Sequence, residues 1–162
     1  MGRRSKERSG GKGKKGREPA SPREVIHRRA YWFDRARSLS ELHGWAPTEA
    51  GDGQGLVGRY RAAIHRPIGE LSSAELHTLL TQGTDPHFLA PVALERLRGP
   101  LGLDERALLG DVLRLPREFW RLRPFLEAEL RELAAAILAT LGEDADEPSA
   151  LARELTRLLE RA

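Results

Sequence analysis

PFLEAELRELAAAILATLG, residues 124–142, decides the fold class. Leu126, Leu130, Leu133, Ile137 and Leu141 recur at three- and four-residue spacing, the stripe of a helix that buries one face. Pro124 restarts the chain in front of it and Gly142 ends it. Working outward, the same grammar repeats. Towards the C-terminus, Pro148 leads into a last helix with Leu151, Leu155, Leu158 and Leu159 on one side. Towards the N-terminus, Pro116 opens Arg117-Glu118-Phe119-Trp120, and Asp104 stands as the cap of a helix carrying Leu108, Leu109, Val112 and Leu113. A strand reading fails on composition, since only four Val and four Ile occur and they never alternate over several residues.

Earlier segments follow suit. Asp85-Pro86 opens a helix bearing Phe88, Leu89, Val92 and Leu97, with Pro91 expected to kink or split it. Ser72 or Ser73 starts another, with Leu76, Leu79 and Leu80 inward and Gly83 at its end. Leu56, Val57, Tyr60, Ala63 and Ile64 have the spacing of a core-facing helix that Arg66-Pro67 stops. Residues 45–55 are glycine-rich and read as a loop. Ser38-Leu39-Ser40-Glu41 is a capping-box pattern whose short helix Gly44 ends. Ser21-Pro22-Arg23-Glu24 has the same spacing and predicts a helix with Val25, Arg29, Trp32, Phe33 and Ala36 on one face. The expected architecture is all-α: a single compact domain of six to eight short helices over residues 21–162, behind a basic tail.

Charge divides the chain in two. Residues 1–30 hold eleven Lys/Arg against three acids, whereas 31–162 hold sixteen basic and twenty-one acidic residues, a net −5. Residues 1–20 offer no bulky apolar group after Met1 to offset an ordering cost of ~1–2 kcal/mol per residue, so they read as a disordered tail. Such a tail reads first as a solvated extension; the alternative is a nucleic-acid-associated helical protein whose tail makes a weak phosphate contact that salt would abolish. Positive charge near the N-terminus without an apolar run behind it does not read as a secretory signal. No stretch approaches the ~20 apolar residues of a membrane helix. The absence of cysteine excludes disulfides, a thiol nucleophile and Cys-ligated zinc, and fits a cytoplasmic protein.

Motifs for catalysis are missing from the sequence. Gly53-Gln54-Gly55-Leu56-Val57-Gly58 has the letters of a dinucleotide fingerprint, but no strand precedes it to aim the glycines at a pyrophosphate. His27, His43, His65, His77 and His87 form no HExxH pair and read as helix-surface or helix-end residues, not metal ligands. Gly-x-Ser-x-Gly, Ser-x-x-Lys and P-loop patterns are absent from the sequence. The expectation is a non-enzyme without cofactor or metal. The acidic run 143–147 lacks the ligand spacing of a calcium loop. Glu143, Asp144, Asp146 and Glu147 read first as a solvated helix connection, and otherwise as an anionic docking surface for a cationic protein.

One ordered set of segments is more specific. It runs Arg66-Pro67-Ile68-Gly69-Glu70-Leu71, Ser73-Ala74-Glu75-Leu76, Gln82, then Phe88-Leu89-Ala90-Pro91-Val92-Ala93-Leu94-Glu95-Arg96-Leu97, and finally Val112-Leu113-Arg114-Leu115-Pro116 with Phe119-Trp120. Over residues 38–122 this order resembles the immunity proteins of bacterial contact-dependent growth inhibition systems. Leu39-Ser40-Glu41-Leu42 and Val57 to Ile64 also look like the family's opening helices. The chain departs from the family at Thr81-Gln82, at Glu105-Arg106-Ala107 where a Gly-Asp element is lost, and in its basic tail. The resemblance implies a cytoplasmic antidote that binds the toxic C-terminal domain of a cognate effector. It casts Phe88, Leu89, Pro91, Leu94, Leu97, Pro116, Phe119 and Trp120 as scaffold, with recognition left to exposed residues.

Overall fold

The computed structural model describes residues 33–46, 55–141 and 149–160. All of them lie in one compact unit, 31–162. They form eight α-helices: α1 (Leu39–His43), α2 (Leu56–Ile64), α3 (Ser73–Thr81), α4 (Pro86–Arg96), α5 (Leu103–Arg114), α6 (Arg117–Arg121), α7 (Pro124–Leu141) and α8 (Ala150–Glu160), with a 3-10 turn at Ile68–Glu70. The described residues contain no strand, only an isolated bridge between Ser38 and Pro67. The all-α expectation is met. The tail 1–20, the helix start at Ser21 and the acidic run 143–147 lie outside the described residues.

Local chemistry explains where the helices start and stop. Ser38 and Ser72 each accept from the backbone N–H three residues on, while Glu41 and Glu75 reach back to the cap N–H: two complete capping boxes. Gly44, at φ +65°, takes the left-handed conformation that lets α1 end and two of its carbonyls be satisfied. Asp85 caps α4 through a bond from the His87 N–H, and Pro86 occupies the first helical position, where no N–H is needed.

The helices pack through a leucine core. Leu76, Leu79, Leu89, Leu94, Leu108, Leu109, Leu130 and Leu155 are fully buried, each worth about 1.5–3 kcal/mol relative to exposure. Helix α3 packs most extensively on α5 and also touches α2 and α4; α7 receives α8, α6 and α4. Of the stripe that opened the reading, Leu126, Leu130 and Ile137 are buried and Leu133 and Leu141 half-buried, with Ala134 completing the inner face.

Four expectations need correction. Phe33 to Ala36 is a turn, not the end of a helix: Asp34 Oδ1 accepts from the Ala36 N–H, and the Arg35 and Arg37 carbonyls accept from Gly69 and Ile68. Those carbonyls are therefore spent on the 3-10 turn. Of the two outcomes expected at Pro91, a kink or a split, the split does not occur: α4 runs unbroken from Pro86 to Arg96 with the proline buried at its sixth position. Gly102, not Asp104, caps α5, and the Glu105 carboxylate folds back to the Gly102 N–H. Leu56 and Val57 are 48% and 59% exposed, so only the later part of α2 faces the core, through Ala63 and Ile64.

Candidate functional site

The segments quoted for the family resemblance meet in space. Gly69 lies so close to Arg35 that a Cβ there would stand 3.3 Å from both the Arg35 Cβ and its carbonyl oxygen, a tight contact that a side chain would relieve only by a small shift of its neighbour. From α4, Arg96 donates through Nη2 to the Gly69 carbonyl at 2.8 Å and through Nε to the Leu71 carbonyl at 3.2 Å. Glu95, its neighbour, holds Arg35 in a two-pronged pair at 2.6 and 2.7 Å. One helix thus fastens the 3-10 turn and the segment leading into α1. The pair is largely exposed and contributes geometry more than stability.

Among the scaffold residues named from the sequence, Leu89, Pro91, Leu94, Leu97, Phe119 and Trp120 are buried. Phe88 is half-buried, edge-on to Phe33 at 5.2 Å. Phe119 and Trp120 pack edge-to-face at 5.0 Å. Pro116 is the exception: it is exposed, and its extended backbone caps α6 from outside the core.

Two polar clusters bridge helices. In the first, Asp111 on α5 is buried and accepts from His77 on α3 through Oδ2 and from Arg114 through Oδ1 at 3.2 Å. Thr81 Oγ1 lies 3.4 Å from the same Oδ2. The outer edge of His77 lines a groove of about 560 Å³ between α2 and α3, with Arg59, Arg66 and Asp104. In the second, Arg123 between α6 and α7 meets His87 on α4. Partners thirty-four and thirty-six positions apart leave no spacing signal in a sequence, so neither cluster was legible there. His43 lies 3.4 Å from Asp85 and stacks on Trp45, and His65 meets the Ser40 hydroxyl at 2.9 Å. Among the described residues no three metal-ligating side chains converge.

Acid groups respond to these surroundings. The Ser38 N–H and then its hydroxyl hold the exposed Glu41 carboxyl below its ordinary range, and the Ser73 hydroxyl does the same for Glu105. Burial opposes ionisation of Glu75, but the Ser72 hydrogen bonds and the charge of Arg66 outweigh it, leaving that carboxyl low as well. Glu129 moves the other way, raised by burial against the opposing pull of Arg98.

Charge is placed unevenly. The described residues carry fifteen Arg and fifteen Asp/Glu, so the helical scaffold is electroneutral. The acidic excess of residues 31–162 comes from Glu49, Asp52, Glu143, Asp144, Asp146 and Glu147, in the segments 47–54 and 142–148 between helices. No family model, characterised protein or solved structure matches the chain.

Proposed function

We propose that this protein is an immunity protein: it binds the toxic C-terminal domain of a cognate contact-dependent growth inhibition effector and neutralises it by occlusion. The observation that supports the reading most is the Arg96 clamp. It joins the Arg66–Leu71 and Phe88–Leu97 segments of the family-like order into one structural unit, with Gly69 packed closely on Arg35. Occlusion needs no catalytic group. It needs a stable scaffold, a polar rim and a few anchors that fit one partner.

A neutral helical body with its acidic excess in two connecting segments suits that task. Glu143, Asp144, Asp146 and Glu147 steer a cationic toxin towards the chain while the helices keep their packing. Co-expression with the toxic domain of a large secreted protein encoded beside this gene tests the proposal. Cells survive and the two chains purify together if it is right; death without a complex refutes it.

A further inference from the structure

We infer that His87 and Arg123 form an acid-sensitive latch between the first turn of α4 and the corner joining α6 to α7. Arg123 is 9% exposed and permanently cationic, and among the described residues no carboxylate pairs with it. Neutral groups hold its guanidinium instead. Nη1 donates to the Phe119 carbonyl at 3.1 Å, Cζ lies 4.2 Å from the centre of the Phe119 ring, and Nη2 meets His87 Nδ1. Nε is buried and has no hydrogen-bond partner among the described residues. The compensation of a buried charge therefore rests on few contacts, and one of them can be switched chemically.

A guanidinium only donates hydrogen bonds, so His87 Nδ1 must present its lone pair, with the ring proton on Nε2. A second proton removes that acceptor and sets two cations face to face. His87 is exposed and can turn its charged ring to water; Arg123 cannot follow. The N-terminus of α4 also disfavours positive charge in its first turn. From α4 itself, Asp85 accepts the His87 N–H at 3.0 Å and offers the charged ring a carboxylate, while His43 from α1, 3.4 Å from Asp85, competes for it. Repulsion from Arg123 and attraction to Asp85 both draw a protonated His87 away from Arg123, and His43 weakens the second by approaching the same carboxylate. Acid therefore frees the corner that holds Phe119 and Trp120 in the core and presents Leu122, 71% exposed, on the surface.

Nitrogen-resolved NMR of the full chain between pH 8 and pH 5 tests the latch. At pH 7.5 the His87 Nδ1 signal is that of an unprotonated ring nitrogen. On acidification the Trp120 indole and Arg123 Nε–H signals move with the same midpoint as His87. In His87→Asn the amide oxygen stands near the Nδ1 position and cannot be protonated, so both reporters stay flat across that range. A proton on Nδ1 at pH 7.5 in the wild type overturns the inference, and this measurement stands even if the variant fails to fold. Reporters that shift in His87→Asn as they do in the wild type overturn it equally.

Discussion

Ser72 shows how much a single hydroxyl controls. It caps α3 and also helps to hold the Glu75 carboxyl low, so its two effects separate by pH. Ser72→Ala should cost about 1 kcal/mol at pH 7, read from urea denaturation. Carboxyls depressed on folding contribute stability that is present above their unfolded value, about pH 4.3 for Glu, and lost as pH falls through the lower folded value. Glu41, Glu75 and Glu105 therefore make the protein lose stability on acidification below about pH 4.3. Glu129, raised by burial, has the opposite sign: its contribution is present in acid and lost as pH rises through its folded value. Ser72→Ala should partly flatten the acid limb, because the backbone N–H at 72 still donates to Glu75; an unchanged limb would mean that the hydroxyl does not help to hold it. At this scale the sequence was readable where cause and effect are three residues apart, as in the Ser38–Glu41 capping box, whereas at α3 it left the cap open between Ser72 and Ser73. It was silent on Asp111 and Arg123, whose partners arrive only when α3 meets α5 and α4 meets the α6–α7 corner.

Helices were legible as units wherever a cap, a repeat and a stop coincide, as from Ser72 to Gly83. Reading failed where tertiary contacts decide. Phe33 to Ala36 has the apolar spacing of a helix, yet the Arg35 and Arg37 carbonyls are drawn into bonds with Gly69 and Ile68. Leu56 and Val57 fit the face of α2 but lie in its first turn, beyond the reach of the core. Helix α8 is the clearest success. Leu151, Leu155, Leu158 and Leu159 all pack inward, and Leu155 is fully buried against a core whose nearest helix is α7. Leu155→Ala should cost about 2–5 kcal/mol, with an unchanged urea m-value if α8 unfolds with the rest. A reduced m-value would show that α8 detaches as a unit of its own.

For the whole molecule, the sequence sum of −5 over residues 31–162 conceals a neutral helical body with acidic connections. On the proposed reading, the charge that would steer a partner lies in sequence between the helices. Replacing Glu143, Asp144, Asp146 and Glu147 by Lys should lower the association rate with a basic toxin at least tenfold at low salt, with a smaller change in dissociation. Stopped-flow kinetics at two ionic strengths checks it, and an unchanged association rate removes these residues from the interface. The candidate surface was legible only as composition, because charge can be counted from letters whereas complementarity needs a partner.

Survival of cells that co-express this chain with the toxic C-terminal domain of its candidate effector measures the central claim most directly. The account predicts growth together with a complex of the two chains that survives size-exclusion chromatography. Growth arrest equal to that of the toxic domain alone, with this chain folded and present at equal amount, would contradict it.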